Sequence, residues 1–149
     1  MAESMSMLEI IKQEFATDGG DLRSYSPLSY AYIGDSIYAL IVKSVMTLKG
    51  NVAANVLNKR TVDYVKASAQ ARIAQYFGSS ALLTEDEADM LRRGRNAKSP
   101  SIAKHASVQD YRLATGLEAL MGYLYMKNEH ERLVQLMKLG MDYIDGNGC

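Results

Sequence analysis

Two acidic residues at the centres of otherwise apolar stretches are the first candidates for chemistry. Asp35 lies within SYAYIGDSIYALIV, residues 29–42, and Glu118 lies within LATGLEALMGYLYM, residues 113–126. An isolated carboxylate is costly to bury, and two neighbouring carboxylates repel each other unless a proton or a cation neutralises one of them. A divalent metal ion would satisfy both. Because neither stretch offers a histidine or cysteine, the residue types favour Mg²⁺, with Mn²⁺ as a substitute.

Small residues surround both acids. They are Gly34 and Ser36 beside Asp35, and Gly116, Ala119 and Gly122 around Glu118. A glycine inside a helix costs about 1 kcal/mol relative to alanine, so their presence predicts two helices whose backbones approach closely. Such packing would bring the two acids together at one site. The alternative is that each carboxylate separately accepts hydrogen bonds from tyrosine or backbone groups.

A basic segment spans residues 92–112. It sets Arg92, Arg93, Arg95, Lys98, Lys104 and Arg112 against a single acid, Asp110. Glycine, asparagine and proline predict that much of this segment is loop, and clustered basic side chains of this kind predict contacts with phosphate groups. The alternative is a solvated loop that offsets the acidic TEDEAD stretch just before it.

The elements that must position these residues are helices, because apolar residues recur at spacings of three and four with no sustained alternation. The fold class is therefore predicted to be all-α. The predicted helices cover residues 3–16, 27–48, 53–77, a short stretch from the Thr84–Glu87 capping box, 108–126, and a last one from NEHERL to near DGNG. Residues 1–149 are expected to form a single domain, since the length fits one core and no linker divides it.

Composition limits the remaining function classes. Seventeen basic and seventeen acidic residues give no net charge, so attraction to a polyanion must come from local clustering. The single cysteine, Cys149, excludes an internal disulfide, and the start of the chain lacks a signal-peptide pattern, so we expect a cytoplasmic protein with no membrane span. His105 and His130 form no evident nucleophilic arrangement, and no Glu-x-x-His pattern supports a di-metal oxidase.

Three motifs in order carry a family resemblance. YIGDSIYALIV and TGLEALMGYLY resemble the two acidic signatures of the ribonuclease III catalytic domain, and their order and separation match. LRRGRNAKS resembles a motif of the small bacterial Mini-III branch, which lacks a double-stranded-RNA-binding domain. The resemblance covers roughly residues 25–140.

The resemblance implies a ribonuclease III-like helical bundle without a separate RNA-binding domain. It further implies a homodimer that uses magnesium to hydrolyse double-stranded RNA, with precursor large-subunit ribosomal RNA as substrate and a ribosomal protein or pre-ribosomal particle as a further partner. Asp35 and Glu118 match the catalytic, metal-binding acids of the two motifs. The residues expected to hold the RNA backbone are Arg92, Arg93, Arg95, Asn96 and Lys98.

Two positions depart from the broader family. Ala31 and Thr115 stand where many ribonuclease III domains carry further acids, as in the Mini-III pattern. The sequence leaves open how many metals bind and whether water, Thr115 or a substrate phosphate completes the coordination. It also leaves open a competing function, that of a catalytically silent RNA-binding or ribosome-associated protein on the same fold.

Overall fold

Seven α-helices build the part of the chain that the computed structural model describes, residues 4–98 and 107–146. They are α1 (Met7–Glu14), α2 (Pro27–Leu48), α3 (Ala54–Val65), α4 (Ala67–Ser79), α5 (Glu85–Asn96), α6 (Val108–Met126) and α7 (His130–Ile144). A short 3₁₀ turn, Leu22–Ser24, precedes α2. No strand occurs among the described residues, which confirms the all-α prediction.

Side-chain caps set where several helices begin. The hydroxyl of Ser26 accepts a hydrogen bond from the backbone of Ser29 at the start of α2, where Pro27 occupies the first turn. Thr84 and Glu87 form the predicted capping box at the start of α5. These local signals explain why the beginnings of α2 and α5 could be read from the sequence.

Helix α6 is the centre of the bundle. Leu117, Leu120 and Leu124 are fully buried, and α2, α4, α5 and α7 all pack against this helix. A helix that is covered on several sides must be apolar on several faces, which accounts for the nearly uniform apolar character of residues 113–126. Glu118 is the one charged residue within residues 113–126, and it is partly buried between neighbouring helices.

Helix α2 is the second long apolar helix. By length and composition alone it is the one described helix that could cross a membrane. In the structure it packs along α6 and contributes Tyr38 and Val42 to the main hydrophobic core.

The prediction of one helix over residues 53–77 is wrong. The chain breaks between α3 and α4 at Lys66, whose ψ of 150° is extended. Side chains satisfy the carbonyls freed by the break: the Tyr38 hydroxyl donates to the Tyr64 carbonyl at 2.6 Å, and the Gln70 amide donates to the Val65 carbonyl at 2.8 Å. The break reorients α4 so that its first turns face α6.

Candidate active site

Glycine contacts bring α2 and α6 together. A Cβ atom placed on Gly34 would lie 1.7 Å from the Glu118 carbonyl oxygen, and one placed on Gly122 would lie 1.9 Å from the Tyr30 carbonyl oxygen. Only glycine permits such backbone proximity, as the small-residue pattern predicted. Because Gly34 precedes Asp35 directly, this contact places Asp35 beside Glu118, and the antiparallel pairing repeats one turn away at Tyr30 and Gly122.

The Asp35 and Glu118 carboxyl groups interact directly. The pKa of the Glu118 carboxyl is raised to about 8, first by burial and then by hydrogen bonding with Asp35 and by repulsion from its charge. At neutral pH the pair therefore favours either a bound proton or a nearby cation. The structure confirms that the two acids meet, and their catalytic role remains a prediction.

Asp35 is not buried, although the stretch around it is apolar. Its side chain is exposed at the surface of α2, whereas Glu118 is partly buried behind it. The pair thus forms one edge of the bundle, where a bulky substrate has access to Asp35. A fully enclosed pair could not reach the backbone of a nucleic-acid duplex.

The positions of the two acids that this chain lacks are occupied by small buried residues. Ala31 packs with Tyr30, Met90 and Ala119, and Thr115 is buried with its hydroxyl donating to the Tyr111 carbonyl at 2.9 Å. The Thr115 hydroxyl is therefore engaged within its own helix.

One residue of the site was missed by sequence reasoning. Gln70, on α4, is 5% exposed, and its side-chain amide lies near enough to the Glu118 carboxyl to lower the pKa of that group, which opposes the effects of burial and Asp35. The available signal was a glutamine flanked by alanines, three residues before the apolar Ile73. A polar side chain on a buried face usually has a specific partner.

The basic residues lie on a different side of α6. Gly94 and Gly116 bring α5 against α6, because a Cβ on Gly94 would lie 2.9 Å from the Gly116 Cα. Positions 116 and 118 point in directions about 200° apart on a helix, so α5 does not cover the Glu118 carboxyl. The arginines of α5 therefore lie beside the same part of α6 as Glu118 but on another side of the helix, and they do not contact the two acids.

Each predicted RNA-binding residue has a defined environment. The last turns of α5 contain Arg92, Arg93, Arg95 and Asn96, so the loop expected here begins only after Asn96. Lys98 follows the helix and is exposed. Lys104 and His105 lie outside the described residues. Arg92 is paired with Asp89, and the Arg95 guanidinium donates to the Asn96 side-chain oxygen at 3.3 Å.

A groove between α4, α5 and α6 is lined partly by these side chains and partly by apolar residues such as Leu91 and Leu113. One part, of about 710 Å³, is lined by Gln75, Arg92 and Arg95, and an adjoining part, of about 510 Å³, by Gln75, Arg95, Asn96 and Arg112. Arg93 instead lines a separate cavity of about 430 Å³ with Tyr30 and Tyr123. The predicted basic set is thus divided between two surfaces.

His130 is less exposed than the sequence indicated. It is the first residue of α7, its ring lies 5.3 Å from that of Tyr125, and its Nε2 atom is buried without a hydrogen-bond partner among the described residues. It packs at the end of α6 and takes no part in the acidic site.

The helical bundle agrees with the comparisons to known proteins. Residues 28–129 match the Ribonuclease III domain. This match and the helical fold identify a ribonuclease III-like endoribonuclease.

The similar proteins show which branch of this family the chain resembles. The chain is 46% identical over 132 residues to Mini-ribonuclease 3 of Thermoanaerobacter sp. (strain X514), covering 89% of this chain and 91% of that protein. It is 44% identical over 120 residues to Mini-ribonuclease 3 of Clostridium tetani, covering 80% and 78% respectively. A crystal structure of a Fusobacterium nucleatum protein superposes with a TM-score of 0.72 at 27% identity, covering 82% of this chain and 96% of that one. The chain belongs to the ribonuclease III domain family, in its Mini-ribonuclease 3 branch.

Proposed function

We propose that this endoribonuclease hydrolyses double-stranded RNA with a divalent cation held by Asp35 and Glu118. The observation that carries the proposal is the contact between these two carboxyl groups, one exposed and one with a pKa raised to about 8. Their oxygen atoms suit Mg²⁺, or Mn²⁺ in its place. When bound, such an ion activates water and neutralises charge at the scissile phosphate.

The number of protein ligands also suits this ion. Among residues 4–98 and 107–146, no group of three or more histidine, cysteine, aspartate or glutamate side chains could hold a metal. Mg²⁺ commonly binds through one or two carboxylates, keeps several waters and accepts substrate phosphate oxygens. Asp35, at the surface, is the carboxylate that the RNA backbone can approach, while Glu118 fixes the inner side of the site.

The basic side chains of α5 are proposed to hold the RNA backbone. Arg92, Arg95 and Asn96 line the groove between α4, α5 and α6, Lys98 follows the end of α5, and Arg93 lies on the neighbouring surface of the same helix. A-form RNA is recognised mainly through shape and through phosphate and ribose hydroxyl contacts, so we expect little base preference from these residues.

A two-fold dimer would supply a second site for the second strand. Tyr32, Leu40 and Leu48 on α2 are 83%, 49% and 85% exposed, and Val62 on the neighbouring α3 is 51% exposed. Exposed large apolar side chains such as these offer area that a partner subunit could cover. A symmetric dimer and an antiparallel duplex both have two-fold symmetry, so each subunit could place its site at one of the two strands.

The biological substrate is proposed to be precursor large-subunit (23S) ribosomal RNA in the cytoplasm, within a pre-ribosomal particle or beside a ribosomal protein. The similarity to Mini-ribonuclease 3 proteins supports this assignment.

The direct test is to incubate the pure protein with a long RNA duplex, with Mg²⁺ and with chelator, and to compare a duplex from the 23S precursor with an unrelated one of equal length. We expect Mg²⁺-dependent cleavage and faster cutting of the precursor. Equal cleavage rates with Mg²⁺ and with chelator would contradict the proposed metal site. Equal cleavage rates on the precursor duplex and the unrelated duplex would contradict the proposed ribosomal RNA substrate.

A further inference from the structure

Gln70 is a polar side chain inside the bundle that the two acidic motifs do not include. It is the fourth residue of α4, is 5% exposed, and belongs to a helix that packs on α6. A buried amide of this kind is expected to have all of its hydrogen-bonding atoms satisfied.

The orientation of this amide is fixed by the end of α3. The Val65 carbonyl has lost its helical partner at the Lys66 break, and the Gln70 Nε2 atom donates to it at 2.8 Å. The nitrogen must face that carbonyl, because an oxygen in its place would oppose another acceptor. The oxygen, Oε1, is then directed elsewhere, and it is buried without a hydrogen-bond partner among the described residues.

The same amide lies against the acidic pair. The Gln70 amide is close enough to the Glu118 carboxyl to lower its pKa. Nε2 has two hydrogens, so it can serve the Val65 carbonyl and the Glu118 carboxylate together. Oε1 belongs to the same planar group and is therefore an unused acceptor near Glu118. A buried acceptor without a donor or cation is unfavourable, because it has lost its water and gained no partner.

We propose that Gln70 supplies the third protein oxygen of the cation site, with Oε1 joining the carboxylates of Asp35 and Glu118. This inference rests on the divalent cation of the proposed function. It accounts for the unpartnered Oε1 atom. Related domains carry acids at the positions of Ala31 and Thr115, and in this chain the Thr115 hydroxyl is bonded within its own helix. The Gln70 oxygen, from α4, would supply a ligand that those two positions do not. Amide oxygens are ordinary ligands of hard cations.

Two substitutions separate this role from a structural one. Gln70→Met and Gln70→Glu both remove the donor to the Val65 carbonyl, but only glutamate keeps an oxygen. The probe is Mn²⁺ alone, titrated without RNA and followed by electron paramagnetic resonance and by thermal unfolding with and without the ion. Gln135→Met, on the exposed surface of α7, is the matched control, and circular dichroism monitors folding.

We expect Gln70→Met to weaken Mn²⁺ binding on the order of 10- to 100-fold, the range seen when a group supporting a metal site is removed. Gln70→Glu should bind Mn²⁺ at least as tightly as wild type and gain more thermal stability from it. Gln135→Met should match wild type. Equal Mn²⁺ affinity in wild type and Gln70→Met, or equal weakening in both Gln70 variants, would overturn the inference.

Failure of the proposed function gives a different result. If wild type binds no Mn²⁺, or binds it no better than Asp35→Asn, the cation site itself is wrong and this inference fails with it. If Asp35→Asn abolishes binding while both Gln70 variants bind like wild type, only the role of Gln70 is rejected. Should Gln70→Met not fold, weak Mn²⁺ binding by a folded Gln70→Glu protein would still reject it.

Discussion

The contact between Gly34 and Glu118 predicts a large effect from a single methyl group. In Gly34→Ala, the new Cβ would lie 1.7 Å from the Glu118 carbonyl oxygen. A carbon and a carbonyl oxygen are ordinarily in contact at about 3.3 Å or more, so α2 and α6 must separate locally by on the order of 1.5 Å. Overpacking of this kind costs about 1–3 kcal/mol or more, which outweighs the gain of up to about 1 kcal/mol from replacing a helical glycine.

The net expectation is a destabilisation of about 2 kcal/mol, which lowers Tm by about 4–8 °C in a domain of this size. Chemical denaturation and a thermal scan measure it, and cleavage should fall in parallel because the contact also aligns Asp35 with Glu118. Gly78→Ala is the control: the nearest atom to its new Cβ is 3.9 Å away, so this variant should be as stable as wild type or slightly more stable. A Gly34→Ala protein as stable as Gly78→Ala would refute the close helix contact.

Three further predictions concern other side chains. Arg132→Met should destabilise the fold by about 3 kcal/mol in urea unfolding, because Glu87, 5% exposed and bonded to Arg132 at 2.8 Å, would lose its partner; a loss under about 1 kcal/mol would contradict this. Arg95→Ala and Lys98→Ala should each lower the slope of log RNA affinity against log salt by somewhat under one unit, and unchanged slopes would make these residues a solvated surface. The pKa of Glu118 is about 8 in the folded protein and 4.5 ordinarily, so folding favours its protonated form. In chelator, the free energy of unfolding of wild type minus that of Glu118→Gln should be highest below pH 4.5 and should fall as the pH rises to about 8. A difference that does not change with pH would contradict this.

The sequence predicted the two helices that carry the acidic pair because their signals are local. Pro27 marks the first turn of α2, Ser107 precedes α6, and both helices occupy the residues expected from periodicity. The glycines around Asp35 and Glu118 also predicted the close contact, since only a nearby backbone explains glycine inside such apolar helices.

The features that the sequence did not reveal depend on partners distant in the chain. The break at Lys66 has no glycine or proline to mark it, and it is stabilised by the Tyr38 hydroxyl, 26 residues from the carbonyl that accepts its bond. Gln70 gains its position beside Glu118 only because that break turns α4 toward α6. The exposure of Asp35 likewise depends on which face of α2 the other helices cover, and a one-dimensional pattern that is apolar on several faces does not show this.

The most direct test of the central claim is single-turnover cleavage of a long RNA duplex by Asp35→Asn and Glu118→Gln, with RNA binding and circular dichroism recorded on the same samples. Each amide keeps the side-chain shape and removes the charge, and several kcal/mol of lost transition-state stabilisation corresponds to a rate at least about 100-fold lower. Glu131→Gln, an exposed glutamate in the first turn of α7, should cleave like wild type. Folded Asp35→Asn or Glu118→Gln protein that cleaves at the wild-type rate would contradict the assignment of this pair as the catalytic centre.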